Sequence, residues 1–133
     1  MSEQLIDKLA WIHIVDGQIL STRNRGKDTF YIPGGKREQG ESDVAALSRE
    51  ILEELSVTLI DTSITFVGAF EAEAHGKSAG VTVRMTCYTA DYEGTLSPAS
   101  EIDEIRWLDY SGREISSAVD KVIFDWLHDR GDL

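Results

Sequence analysis

Apolar and polar positions divide the first part of the chain into strands that are joined by turns. A mixed apolar run, interrupted only by His13, predicts a buried strand that contains Leu9, Trp11, Ile12, Ile14 and Val15. Asp16-Gly17 predicts a two-residue hairpin turn, and residues 18–22 form the expected return strand. A β-prone run over residues 29–32 stops at Pro33, and Pro33-Gly34-Gly35 predicts a turn that few side chains would fit.

The rest of the chain contains two helices with strands between them. A helix is predicted over residues 43–55 with Ser42 as its N-cap, and strands are predicted over 64–74, 81–92 and 105–108. Ser116 or Ser117 is expected to cap a last helix, with an apolar stripe of Ala118, Val122, Ile123, Trp126 and Leu127. This order predicts a single domain over residues 1–133 of the α/β (α+β) class, and not a doubly wound parallel sheet.

The helix over residues 43–55 carries a cluster of acidic side chains. Glu50, Glu53 and Glu54 fall within an arc of about 100° on a helical wheel. An apolar face of Val44, Ile51, Leu52 and Leu55 is expected opposite this arc. A solvated charged face is the simpler interpretation, but like charges at these spacings destabilise a helix by about 0.2–0.5 kcal/mol per pair. Mg²⁺ or Mn²⁺ would reverse that penalty, since both prefer carboxylate oxygens.

Charge and composition narrow the possible functions. The chain has 133 residues, 24 of them acidic and 13 Lys or Arg, with a formal net charge of −11. This balance argues against binding to a nucleic-acid polymer, because such binding requires net neutralisation of phosphates. One cysteine, Cys87, excludes an internal disulfide. With no apolar run long enough for a membrane span and no basic signal-peptide start, the sequence predicts a cytoplasmic protein without a membrane partner.

A basic segment precedes the acidic helix. Five of the 13 Lys and Arg residues lie between residues 23 and 37: Arg23, Arg25, Lys27, Lys36 and Arg37. A basic patch beside a metal-binding acidic cluster is what a polyphosphate requires. Lys36, Arg23 and Arg25, with the backbone of Gly35, are therefore the candidate phosphate-binding residues. The alternative is that these are ordinary exposed side chains.

Residues 35–57 resemble the signature motif of the Nudix hydrolase family, GX5EX7REUXEEXGU, where U is aliphatic. The segment here is GKREQGESDVAALSREILEELSV, which departs from the motif at one fixed position, where Ser56 replaces Gly. Weaker resemblance extends through residues 30–36 and 101–107. The resemblance implies a Nudix-type α/β/α sandwich, with a mixed sheet between helices.

The family resemblance also implies an activity. Nudix enzymes hydrolyse a nucleoside diphosphate linked to another group X with Mg²⁺ or Mn²⁺, which makes a small nucleotide the expected partner. The small size of the chain favours a MutT-like enzyme that cuts a nucleoside triphosphate to monophosphate and pyrophosphate. ADP-ribose, dinucleoside polyphosphates and nucleotide sugars are alternative substrates, and a non-catalytic ligand sensor is the alternative class. A homodimer is left open.

Roles for individual residues follow from the same resemblance. Glu50, Glu53 and Glu54 match the acids that bind metal and orient water, and Arg49 matches the arginine that orients those carboxylates. Glu41 matches an acid that supports the loop and in some enzymes the metals. The carbonyl group of Gly34 matches a position that often joins the metal shell. The enzymes often add a later acid as ligand or base; Glu101 is the candidate, with Glu104 in reserve.

Overall fold

The strands and helices alternate in groups along the chain. The structure is a computed structural model that describes residues 4–74 and 80–133. The described strands are β1 (Gln4–Trp11), β2 (Ile14–Val15), β3 (Gln18–Asn24), β4 (Phe30–Tyr31), β5 (Gly34–Lys36), β6 (Thr58–Leu59), β7 (Thr65–Glu73), β8 (Val81–Thr89), β9 (Tyr92–Glu93) and β10 (Ile102–Leu108). The α-helices are α1 (Asp43–Leu55) and α2 (Ala118–Asp129), and short 3₁₀ helices span Asp61–Ser63 and Tyr110–Ile115.

A mixed four-stranded sheet forms the centre of the molecule. Its strand order is β5-β1-β8-β7, and β1 runs parallel to β8 but antiparallel to β5. A second sheet has the order β10-β3-β2, with β4 paired to β3. In the first sheet Gly34 lies opposite Ala10 and Lys36 lies opposite Lys8, so the glycine turn predicted at Pro33 continues into an edge strand.

Both faces of β1 are covered by a helix. Leu9 and Trp11 pack into a core with α1, whereas the alternate residues Ala10 and Ile12 pack into a second core with α2. Because successive side chains of a strand point to opposite faces, the sheet must lie between the two helices. The predicted α/β/α sandwich with a mixed central sheet is therefore confirmed.

Helix α1 begins and ends where the sequence predicts. Ser42 has an extended backbone, and its Oγ accepts a hydrogen bond from the Ala45 N–H at 3.1 Å. This side chain satisfies one of the N–H groups that the first turn leaves free. At the other end Ser56 is left-handed, with φ 64° and ψ 21°, and its N–H donates to the Leu52 carbonyl. The chain therefore keeps the left-handed helix end for which the motif has Gly.

The buried face of each helix differs from the prediction. In α1, Leu52 is 53% exposed, while Glu54 is only 8% exposed and lies between the buried residues Ile51 and Leu55 along the helix. The acidic arc thus overlaps the buried face instead of opposing it, because α1 packs against β5 as well as β1. In α2, Val122 is 41% exposed, and the buried apolar side chains are Val119, Ile123, Phe124 and Leu127.

Several strands have different bounds from those predicted. The apolar run that contains His13 is two strands, since β1 ends at Trp11 and β2 pairs with β3 in the second sheet. Strand β8 ends at Thr89, and β9 pairs separately with β6. Strand β10 begins at Ile102, three residues before the predicted start. In the described part of the chain, no helix is long and apolar enough to cross a membrane.

Candidate active site

A cleft of about 420 Å³ lies where β1, β5 and α1 meet β3, β4 and the start of β10. Its size is within the range of small-molecule sites. The polar side chains that line it include three glutamates and three lysines, and its apolar wall includes Ile32 and Met85. The ionisable lining residues are Glu50, Glu54, Glu101, Lys8, Lys27 and Lys36.

Two glycines allow the acidic side chains to approach the backbone of β5. Gly34 has φ 147°, and a Cβ at this position would collide with the backbone carbonyl of Leu9. Its N–H donates a hydrogen bond to Glu54 Oε1 at 3.3 Å. At Gly35 a Cβ would lie 2.5 Å from Glu50 Oε2. Any side chain at Gly35 would therefore displace the Glu50 carboxylate from its place beside β5.

The Glu50 and Glu54 carboxylates are crowded together in this part of the cleft. Burial and the nearby Glu50 carboxylate together raise the pKa of Glu54 to about 8, against the opposing effect of the Gly34 N–H. Glu101 adds a smaller repulsion from the other side of the cleft. Because like charges so close together disfavour ionisation, this cluster stabilises a proton or a cation between its oxygens.

Arg49 connects the acidic residues of the helix to the loop before it. Its guanidinium donates to both oxygens of Glu41, at 2.8 and 2.9 Å, and to Glu50 Oε1 at 2.9 Å. It also donates to the Lys36 carbonyl at 3.1 Å. The bonds from Arg49 to Glu41, with one from the Glu38 N–H, lower the pKa of Glu41 to about 2. Two parallel bonds to Glu41 fix the Arg49 guanidinium, and the guanidinium in turn fixes the position of the Glu50 carboxylate.

Glu53 lies outside the cleft lining. Its side chain is 55% exposed, and Oε2 lies 3.6 Å from Nη1 of Arg49. Of the three acids predicted on α1, the structure therefore brings Glu50 and Glu54 together and places Glu53 at the solvent side of Arg49.

The two later acids have different surroundings. Glu101 faces Glu50 and Glu54 across the cleft and accepts a hydrogen bond from Ser100 Oγ at 3.1 Å. Glu104 instead forms ion pairs with Arg106 at 2.7 Å and Arg23 at 3.2 Å, which lower its pKa. The geometry favours Glu101 over Glu104 as the additional acid of the site.

The predicted phosphate-binding residues are only partly brought together. Lys36 and Gly35 line the cleft. Arg23 is paired with Asp103 at 2.9 Å as well as with Glu104, and Arg25 donates to the Ser100 carbonyl at 2.8 Å. Arg23 therefore ties β3 to the start of β10, and Arg25 ties the segment after β3 to the loop before β10. They hold the segment that carries Glu101.

Sequence reasoning missed Lys8 among the cleft residues. Lys8 lines the cleft and lies on the same face of the chain as Ala10 and Ile12, which pack into the core. A charged residue at an apolar position of a central strand is a signal that the sequence does contain.

A larger depression, of about 780 Å³, is lined by the residues that follow β1 and has no lining residue in common with the cleft. Among the described residues, its polar groups include His13, Asp91 and Asp132 but neither lysine nor arginine. Burial lowers the pKa of His13, so this imidazole does not supply a cation at neutral pH. The depression is therefore unsuited to a polyphosphate, and the smaller cleft is the candidate active site.

The cleft has the donors that a divalent metal ion needs, although they are not assembled into a complete site. Within residues 4–74 and 80–133, no three His, Cys, Asp or Glu side chains form a ready metal-binding group. The mutual repulsion of Glu50 and Glu54 nevertheless favours a bound cation. Carboxylate oxygens are the ligands that Mg²⁺ and Mn²⁺ prefer. The residues present therefore fit such an ion.

The fold and the cleft together define an α/β/α protein with an acidic, lysine-lined site for a small ligand. The sequence pattern of the NUDIX domain matches residues 9–126. The chain therefore belongs to the Nudix family and is a hydrolase of that family, whose members generally use divalent metal ions.

Solved structures share this fold. The ORF135 protein of E. coli is 24% identical, with a TM-score of 0.72 over 92% of this chain and 88% of that one. A MutT protein from Bacillus halodurans is 25% identical, with a TM-score of 0.68 over 90% and 79% of the two chains. A bifunctional NMN adenylyltransferase/ADP ribose pyrophosphatase from Francisella tularensis, complexed with AMP and a Mn ion, is 17% identical. Its TM-score is 0.70 over 96% of this chain and 42% of that one. No curated protein sequence matches the chain.

Proposed function

We propose that the protein is a MutT-like nucleotide pyrophosphohydrolase that cuts a nucleoside triphosphate to a monophosphate and pyrophosphate. The observation that carries this proposal is the crowded pair Glu50 and Glu54, held against Gly34 and Gly35 in a cleft that also contains lysines. Paired carboxylates suit a divalent cation, and lysines suit the phosphate oxygens that remain.

Glu50, Glu53 and Glu54 are the side chains that would hold Mg²⁺ or Mn²⁺, with the carbonyl group of Gly34. Glu41 supports them through Arg49 and is a further candidate ligand. A bound ion of this kind withdraws charge from phosphate oxygens and lowers the pKa of a bound water. Glu53 is exposed beside Arg49, so its part in the site requires a change of side-chain rotamer.

The other residues of the cleft would bind the substrate and accept the proton of the attacking water. Lys36 and Lys27 line the cleft, where their ammonium groups would bind phosphate oxygens. Arg49 keeps the Glu50 carboxylate beside β5 while the substrate binds. Glu101 faces the acidic pair, where its carboxylate can take a proton from the attacking water or add a ligand.

Hydrolysis of a larger substrate, such as ADP-ribose or a nucleotide sugar, is the second candidate function. The matched solved structures include a bifunctional NMN adenylyltransferase/ADP ribose pyrophosphatase, which makes ADP-ribose an alternative substrate. The cleft of about 420 Å³ is near the lower end of the range for small-molecule sites. That volume favours one nucleoside with its phosphates over a substrate with a nucleoside or sugar at both ends.

The test is a panel of nucleoside triphosphates, ADP-ribose, a dinucleoside polyphosphate and nucleotide sugars, each with Mg²⁺ or Mn²⁺. Pyrophosphate release from a triphosphate is the expected result. Preferential hydrolysis of ADP-ribose or a nucleotide sugar would replace the proposed substrate with the alternative. Binding without turnover of any compound would indicate a ligand sensor.

Two variants test the assignment of the acidic residues. Glu53→Gln is expected to remove most activity while the protein stays folded, because a lost metal ligand costs several kcal/mol of transition-state stabilisation. Glu114→Gln is the matched control, since Glu114 is exposed in the 3₁₀ helix Tyr110–Ile115, outside the cleft lining. Near-normal turnover by Glu53→Gln would contradict the metal assignment.

A further inference from the structure

Lys8 is a charged residue in the middle of the central strand. The residues that alternate with it on the same face, Ala10 and Ile12, are buried in the core with α2. Lys8 itself is half-buried and lines the candidate active-site cleft. A partly buried ammonium group is unfavourable without a polar partner, so an interaction is expected to stabilise it.

The neighbours of Lys8 on the sheet do not supply that interaction. Lys36 lies directly opposite on β5 and Met85 lies opposite on β8. Side chains of directly paired residues share one face, where two like charges destabilise the sheet. Among the residues that the structure describes, Lys8 forms no ion pair. The buried Asp120 carboxylate interacts electrostatically with Lys8. Its Oδ2 accepts from the Ile32 N–H, and its Oδ1 has no hydrogen-bond partner among the described residues.

The surroundings of Lys8 resemble a site for a base more than a site for phosphate. Its Nζ lies 5.6 Å from the centre of the Tyr31 ring, on the opposite sheet. Lys8, Tyr31 and Met85 also line a cavity of about 130 Å³, and neither Glu50 nor Glu54 lines that cavity. The other polar lining residues of this cavity are Glu73 and Ser117. A mainly apolar wall with a few polar groups is typical of the part of a pocket that determines specificity.

We propose that Lys8 contacts the base of the substrate and selects bases that present a keto oxygen over bases that present an amino group. An ammonium group has three donors and no acceptor. Guanine offers O6 and N7, and thymine or uracil offers O4, as acceptors, whereas adenine and cytosine present an amino group at the corresponding position. This inference rests on the proposed function, because it takes the substrate to be a nucleotide with its phosphates at the acidic pair.

The experiment compares nucleotides that differ mainly by exchange of a keto and an amino group. We measure kcat/KM for GTP against ATP and for UTP against CTP, with the wild type and with Lys8→Met. The wild type is expected to favour the keto partner of each pair by at least about tenfold, since a site built to hydrogen-bond a substrate group discriminates strongly. Lys8→Met is expected to bring both ratios close to one by lowering the keto values.

Lys27→Met is the matched control, because Lys27 is also a cleft lysine but is exposed on the loop after β3. It is expected to lower kcat/KM for all four nucleotides by a similar factor and to leave both ratios unchanged. Melting curves of the variants establish that they are folded. Methionine suits the position because Ala10, Ile12 and Met85 on that face are apolar.

Three results would overturn the inference. One is an equal loss for all four nucleotides in Lys8→Met, which would place the lysine on phosphate. The second is ratios that do not change, and the third is a wild type without keto preference. If no triphosphate is hydrolysed, the proposed function is wrong, and the role of Lys8 is tested by binding instead. Calorimetry then gives the affinity ratios of GDP to ADP and of UDP to CDP for the wild type and Lys8→Met. No binding, or binding without keto preference, would then overturn the inference.

Discussion

The end of helix α1 allows a sharp test of backbone conformation. Ser56 stands where the Nudix motif has Gly, and its φ of 64° lies in the left-handed region. This conformation costs a non-glycine residue about 1–2 kcal/mol, whereas glycine avoids the cost. The substitutions Ser56→Gly and Ser56→Ala are therefore expected to change the free energy of unfolding differently.

The magnitudes follow from the contacts of Ser56. Its Oγ donates a hydrogen bond to the Ser97 carbonyl at 3.3 Å, and both substitutions remove this exposed bond, at about 0.5 kcal/mol. Glycine gains about 1–2 kcal/mol from the backbone but loses about 0.4–1 kcal/mol because it enlarges the entropy of the unfolded chain. Ser56→Gly should therefore be more stable than Ser56→Ala by about 0.8 kcal/mol. In a helical conformation the order would reverse, with alanine more stable by about 1 kcal/mol.

The assay is urea or guanidinium denaturation of the wild type and both variants, without metal, with the midpoints compared at equal slope. The expected order is Ser56→Gly at the highest midpoint and Ser56→Ala at the lowest. Activity should change little, since Ser56 does not line the cleft. A higher midpoint for Ser56→Ala than for Ser56→Gly would refute the left-handed helix end.

Three further predictions concern the charged groups. Mg²⁺ or Mn²⁺ at about a hundredfold excess over its dissociation constant should stabilise the fold by about 2.7 kcal/mol; coincident melting curves in metal and in EDTA would contradict this. Glu101→Gln should lower kcat at least about tenfold in steady-state assays. Glu104→Gln should not, because the Glu104 carboxylate is paired with arginines. Equal effects of the two substitutions would rule out Glu101 as the additional acid. Burial raises the pKa of Asp120 to about 7, above its ordinary value near 4, so the stability that its proton supplies is lost as the pH rises from about 4 through 7. In denaturant titrations, the free energy of unfolding of the wild type should fall relative to that of Asp120→Asn as the pH rises over that range. A difference between the two proteins that does not depend on pH would contradict the raised pKa of Asp120.

The local parts of the fold could be predicted from the sequence. Ser42 and the residues of α1 needed only cap chemistry and periodicity, and both helix ends are confirmed. Strand bounds were less accurate because they depend on pairing with distant strands. The apolar run around His13 appears continuous in the sequence, but its two halves pair in different sheets.

The site was predicted only as far as the motif extends. A helical wheel gives the angles between Glu50, Glu53 and Glu54 but does not show which side of the helix packs. In the structure the face toward β5 is buried, so Glu54 is enclosed while the apolar Leu52 is exposed. Strand β5, whose glycines leave room for the Glu50 and Glu54 carboxylates, pairs with β1. That pairing also brings Lys8 beside Lys36.

The charges of the cleft explain how a strongly acidic protein can bind a polyphosphate. The chain carries a formal charge of −11, so its surface as a whole repels a nucleotide. Among the described residues, the cleft lining contains three lysines and three glutamates, so its formal charge is zero when all six are ionised. A divalent cation on Glu50 and Glu54 would make the cleft positive and would also remove the repulsion between these carboxylates. Metal binding and nucleotide binding should therefore strengthen each other, because each relieves a charge that the other leaves uncompensated.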